Sequence, residues 1–269
     1  MHLINKLRAL FSKRALPNVY YLGLPKTGSN SFAALFKENE ALHEFWFEET
    51  SVIFYDYLHG KKTDQEVAAF LQQRDAVRPS RFDFATFNHL YANYLFSHKN
   101  SLFILPLRDA YSWANSLINH VHSDFTLLEI LPWHQNCGKI FLSEQFDTSH
   151  CVSEETITAN LDYLIPNLCK FWNDGVMRTL PHAPKKRTLV LSTLKLNHSI
   201  PTIARFLDIP LEAMNLHESH RNQGKYFVDY MGKNRELFKE SLELYASPAI
   251  KAIQKAGIDD VKNFDAFVL

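Results

Sequence analysis

Three short, almost unbroken apolar runs, each leading into a helical pattern, constrain this chain more than any other feature. They are VYYLG (19–23), SLFILPL (101–107) and RTLVLS (187–192). A strand with one face in water alternates polar and apolar residues, whereas a strand covered on both faces reads as a continuous run. Strands of the second kind belong to parallel sheets, whose crossover connections lay helices on the faces. A weaker strand is expected at DFATFN (83–88), and helical periodicity covers 29–38, 63–74, 110–121, 153–180, 199–207 and 233–255. In 153–180, Ser153 is a candidate N-cap with Glu154 and Glu155 in the first turn, and Pro166 predicts a kink. The stretch 123–150 has a weak pattern and carries Pro132 and Gly138, so it reads as a substrate loop or lid. The opening MHLINKLRALFSKRALP is basic and amphipathic without a cleavage pattern, which predicts an N-terminal helical extension over 1–16 packed on a single domain spanning 1–269.

Composition narrows the function classes. Lys+Arg and Asp+Glu balance at 29 each, so no global charge recruits nucleic acid, and any anion site must be local. No apolar run reaches about 18 residues, which argues against stable membrane insertion. The three cysteines, Cys137, Cys151 and Cys169, lack CxxC spacing and suit a reducing cytosol, so the expected location is cytoplasmic. The 13 histidines show no zinc spacing, and no metal site is expected.

The first strand ends in GLPKTGSNS (23–31), where a strand, a turn and a helix meet. The first amides of a helix have no intrahelical acceptors and point at whatever lies in front of them. Gly28 permits close approach, Lys26 brings a cation, and Thr27, Ser29 and Ser31 bring hydroxyls, so the corner reads as a phosphate cradle. Gly23 and Gly28 have the spacing of the nucleotide loop G-x-x-x-x-G-K-[ST], but Ser29 stands where that loop has lysine. A second corner follows SLFILPL: Arg108 ends the strand, Asp109 is a candidate N-cap, and Ser116 lies two turns into the next helix. Ligands of parallel sheets gather at the carboxyl ends of the strands, so both corners should open on one edge. One would take a 5′ phosphate and the other, with a guanidinium and a hydroxyl, a second phosphate.

With both corners in view, the chain resembles the PAPS-dependent sulfotransferases (PAPS is 3′-phosphoadenosine-5′-phosphosulfate). PKTGSNS is similar to their 5′-phosphosulfate loop, and Arg108 with Ser116 matches their 3′-phosphate motif, although Asp109-Ala110 replaces the usual Asn-Pro. RTLVLSTLKLNHSIPTIARFLDIP resembles a later strand and helix of the family, with Ser192-Thr193 where an acidic residue is usual near Leu194, and HESHRNQGKY (217–226) falls where the family has a basic nucleotide-covering loop. The resemblance runs discontinuously over about 17 to 230. It implies a P-loop-like three-layer α/β fold with a central, mostly parallel sheet flanked by helices. It also implies transfer of a sulfuryl group from PAPS, leaving PAP, to a hydroxyl or amine of a small-molecule, lipid or carbohydrate acceptor. Pro25, Lys26, Thr27, Gly28, Ser29, Asn30 and Ser31 would hold the 5′ end, Arg108 and Ser116 the 3′ phosphate, and Arg221 and Lys225 would close over the nucleotide. Lys26 would stabilise the leaving phosphate. For the general base, His89 in TFNHLYANY is the first choice and Glu44 in LHEFWFEET the rival, with His43 and Glu48 behind them. A small-molecule or nucleotide kinase and a non-catalytic nucleotide-binding module are the alternative readings.

Overall fold

The apolar runs pair as parallel strands in the computed structural model, which describes residues 16–36, 41–127, 132–215 and 227–258. Strand β1 (Val19–Tyr21) leads into α1 (Ser29–Ala34), and β2 (Ala41–Leu42) into α2 (Phe47–Leu58) and α3 (Asp64–Val77). Strand β3 (Phe82–Asp83) turns through a 3-10 segment (Thr86–Tyr91) into α4 (Ala92–Phe96). After β4 (Leu102–Leu107) come α5 (Ala110–Leu127), α6 (Pro132–Phe141), α7 (Glu154–Ala159) and α8 (Leu161–Thr179). Strand β5 (Thr188–Ser192) leads to α9 (Leu196–Leu207), and α10 (Tyr230–Lys233), α11 (Arg235–Tyr245) and α12 (Ser247–Ala256) follow.

The sheet has the order β2-β3-β1-β4-β5, all parallel, with Tyr20 opposite Phe103 and Leu107 opposite Ser192. Side-chain alternation along β1 feeds two cores. Val19 and Tyr21 pack with Phe32 and Leu35 near α1 and with Ile203 of α9. Tyr20 and Leu22 pack with Trp113 and Leu117 of α5 and with Leu168 and Trp172 of α8. Helices on both faces of a parallel sheet give the three-layer α/β architecture that the sequence predicts. Burying each such Leu or Phe contributes roughly 1.5–3 kcal/mol.

Several boundaries differ, each for a local reason. The run 83–88 pairs only as Phe82–Asp83, because the buried Asp83 carboxylate accepts from the Ala85 amide (3.2 Å) and the Asp83 carbonyl accepts from Asn88 (3.1 Å), which turns the chain. Arg74 and Arg78 balance that buried charge. The helix 153–180 breaks at Asn160, whose side chain donates back to the Thr156 carbonyl (2.7 Å), and it continues through Pro166. Ser153 does cap α7, accepting from the Thr156 amide. The carbonyl that the missing Pro166 N–H would have bonded belongs to exposed Asp162, where water can serve. The helix 233–255 breaks at Ala246, with Pro248 in the first turn of α12. The supposed loop at 123–150 is largely helical: 123–127 extend α5, and Pro132–Phe141 form α6, packed on α2. Helix α2 has no counterpart among the expected helices. Residues 1–15, 37–38 and 128–131 of the expected segments lie outside the described residues. Among the described residues no helix is long and apolar enough to cross a membrane.

Candidate functional site

Strands β1 and β4 are neighbours, yet their connections leave in opposite directions. Helix α1 follows β1 onto one face, toward β2 and β3, while α5 follows β4 onto the other. Such a reversal leaves a crevice beyond the carboxyl ends of the two strands. Here it holds a cavity of about 540 Å³, lined at its polar end by Pro25, Lys26, Gly28, Ser29, Asn30, Ser31, His43, Glu44, Thr86, Arg108, Ser116 and Thr193.

The loop between β1 and α1 is held from behind by its carbonyls. Leu24 accepts from the Thr27 amide and hydroxyl (3.2 and 2.6 Å), Pro25 from the Trp113 indole (2.7 Å), Lys26 from Arg108 Nη1 (2.9 Å), and Thr27 from the Thr193 hydroxyl (3.1 Å). With four successive carbonyls engaged by the scaffold, the amides leading into α1 are the loop groups left to meet an anion. The backbone is left-handed at Lys26 (φ 62°) and Gly28 (φ 99°). For a lysine that conformation is uncommon and persists only where the surroundings hold it. Gly23 is needed for space, since a Cβ there would fall 2.3 Å from the Thr27 hydroxyl and 2.7 Å from Pro106 Cγ.

Arg108 links the two corners. Its Nη1 donates to the Lys26 carbonyl and its Nε to the Ser112 hydroxyl (3.0 Å), which leaves the Nη2 donors for a cavity ligand. Asp109 caps α5 by accepting from the Ser112 amide (2.7 Å), as its position predicts, and Trp172 donates to the Arg108 carbonyl (3.0 Å). Ser116 reaches the same cavity from the second turn of α5.

Glu44 is the carboxyl of the cavity wall. Its backbone is left-handed (φ 57°), and its carboxylate accepts from the Thr86 amide (3.1 and 3.2 Å) and from the Thr86 hydroxyl. Burial pushes its pKa up to about 7 despite those donors. The His43 ring bridges Glu44 and the loop, with Nε2 at 3.1 Å from Ser29 Oγ and 3.6 Å from Glu44 Oε1. Burial, and then the Lys26 ammonium, lower the His43 pKa to about 4, and the same two causes lower that of His120, which opens on the cavity from α5, to about 4. Both rings are therefore neutral at pH 7, beside a cation.

Two sequence expectations are corrected by placement. His89 is fully buried and does not line the cavity. Its Nδ1 lies 2.7 Å from the Thr86 carbonyl, its edge meets Phe171, and Nε2 has no hydrogen-bond partner. Burial drives its pKa down to about 3, so it can neither meet an acceptor in the cavity nor titrate near neutrality as a base. Thr27 is also buried, its hydroxyl spent on the Leu24 carbonyl and the Tyr21 hydroxyl (2.7 Å), so its side chain shapes the loop and does not face a ligand. Arg221 and Lys225 lie outside the described residues. Glu48 is exposed on α2 and is not in the cavity wall. Sequence reasoning missed Thr86, Thr193 and His120. The first two give no local signal, but Ser112, Ser116 and His120 are each four residues apart on α5, a single helical face legible in the sequence.

No protein-family model and no curated relative matches the chain. Among solved structures the chain is similar to the crystal structure of a sulfotransferase from Alicyclobacillus acidocaldarius, at 15% identity over 85% of this chain and 94% of that one, with a TM-score of 0.43. So distant a likeness carries no argument about chemistry, and the functional reading rests on the residues of the cavity.

Proposed function

We propose that this protein transfers a sulfuryl group from PAPS to the hydroxyl of an acceptor. The observation that carries the reading is the convergence of two anion-binding corners and one poised carboxyl on a single cavity. The residues fit a nucleotide phosphorylated at both ends: the braced loop suits a 5′ phosphate, and Arg108 Nη2 with the Ser116 hydroxyl suits a 3′ phosphate. When bound, PAPS supplies the sulfuryl group and takes up the electron pair of the broken S–O bond as PAP.

The protein's own contributions follow from its geometry. Lys26 neutralises charge building on the leaving phosphate oxygen, and the amides leading into α1 hold that phosphate in place. Glu44, with a pKa near 7, takes the proton from the acceptor hydroxyl, while Thr86 fixes its carboxylate toward the cavity. His43, neutral, holds Ser29 and Glu44 in register. A kinase reading is disfavoured because Ser29 replaces the loop lysine and the acidic residue at the end of β4, Asp109, is spent as a helix cap. A carboxyl in the cavity wall with a pKa near 7 favours an enzyme over a purely binding module.

The test is calorimetric titration with PAP, AMP, ADP and ATP, with and without magnesium. The expected result is tight, magnesium-independent binding of PAP and weak binding of AMP. Preference for ATP with magnesium would overturn the reading.

A further inference from the structure

The cavity has two chemically different ends. Beyond Ser116 its walls come from the later turns of α5, from α6 and the segment that follows it, and from α8. Val121 lies about 16 Å along α5 from its first residue, Ala110, at 1.5 Å per residue, so the chamber extends along the helix away from the Arg108 corner. Ile118 and Val121 line one side, Phe141 and Phe146 another, and Leu164 and Leu168 a third. Among the described lining residues that α5 contributes after Ser116, and those from α6 through Cys151 and from α8, His120 is the one polar side chain, cysteines aside. Gly138 lets the Phe146 ring lie flat against α6, since a Cβ there would fall 2.0 Å from Phe146 Cε1. The ring thus forms a fixed part of the wall.

We infer that the acceptor is a hydrophobic alcohol, alkyl or aryl, whose hydrocarbon body fills this chamber and whose hydroxyl meets Glu44. This rests on the sulfuryl-transfer reading for the fate of the hydroxyl, but the chamber's preference for an apolar body does not. A sugar would bring several hydroxyls against a wall with almost nothing to bond them, and buried polar groups without partners are costly. An alkyl or aryl body loses no hydrogen bonds there and leaves water for an apolar surface. In the transfer the acceptor O–H bond breaks, the proton goes to Glu44, the acceptor oxygen bonds to sulfur, and the bridging S–O bond breaks with its electrons leaving on the phosphate.

Octanol, naphthol, glucose and N-acetylglucosamine serve as probes, with binding read by calorimetry on PAP-loaded and nucleotide-free protein and turnover by label transfer from PAPS. The expected result is that octanol and naphthol bind and are sulfated with kcat/KM at least roughly tenfold above either sugar. Val121→Trp, which fills the chamber, weakens octanol binding by at least roughly tenfold without changing PAP affinity. Sulfation of the sugars at equal or greater efficiency would overturn the inference and leave the sulfotransferase reading in place. Octanol binding without any PAP binding would support the chamber's assignment and overturn that reading instead. Failure of both apolar probes to bind sinks the inference, and because that arm uses the wild-type protein it decides even if Val121→Trp does not fold.

Discussion

Replacing Glu44 with Gln should make this protein more stable and less active. The carboxyl pKa rises from 4.5 to about 7, with burial the largest cause. At about 1.4 kcal/mol per pKa unit, keeping that group ionised in the folded state costs roughly 3 kcal/mol. This is an upper bound, because 20% of the side chain remains open to cavity water. The sign follows from proton binding. Between pH 4.5 and 7 the folded protein holds a proton that the unfolded chain has released, so the group's contribution is complete below pH 4.5 and lost as pH rises through 7. Glutamine has the same shape and can still accept from the Thr86 amide, but it never ionises. The variant should therefore melt with the wild type near pH 4 and above it near pH 8, by up to roughly 5–10 °C for a chain of this size. Turnover should drop by about 10²–10⁴, the usual contribution of a general base, and the rise of wild-type kcat through pH 7 should vanish. Thermal melts at the two pH values and a pH–rate profile measure all of this. A Glu44→Gln variant no more stable at pH 8 than the wild type would refute the burial argument, and one with full turnover would refute the role as base.

Arg108→Ala should weaken PAP far more than AMP, by roughly 2–5 kcal/mol, since one side of a charge-assisted phosphate contact is removed; an equal loss for both nucleotides in calorimetry would refute the 3′-phosphate role. Thr27→Val should cost about 1–3 kcal/mol in denaturant unfolding, because the buried Leu24 carbonyl and Tyr21 hydroxyl each lose a partner, and unchanged stability would contradict that bracing role. His89→Leu should keep the acid limb of the pH–rate profile, in contrast to Glu44→Gln, and its loss would restore His89 as a candidate base. The folded His89 pKa is depressed from 6.5 to about 3, so its contribution is intact above pH 6.5 and lost as pH falls toward 3. Wild-type stability should drop by about 2 kcal/mol from pH 7 to 5 through this group, and a His89→Leu curve falling just as steeply would show that another group is responsible.

The corners were legible because their information is local. Lys26, Gly28, Ser29 and Arg108 sit within a few residues of a strand end, and the register of parallel strands brings all strand ends to one edge. His89 misled for the opposite reason. In sequence it follows a strand-like run, as a catalytic histidine could, but Asp83 turns that run after two paired residues and carries His89 beneath Thr86 into the core. The stretch 123–150 misled because its polar residues hid a helix that takes its order from packing on α2.

By itself, the sequence determined the parallel three-layer framework and the two strand–helix corners that open on the cavity. Continuous apolar runs must be covered on both faces, and a glycine turn between strand and helix must expose amides. Only the tertiary structure decided that Glu44 and not His89 lines the cavity, how far its pKa moves, and that the wall contributed by α5 beyond Ser116, α6 and α8 is mostly apolar. Burial is a property of neighbours distant in the chain: Glu44 is held by Thr86, 42 residues away, and the chamber wall is assembled from α5, α6 with the segment after it, and α8.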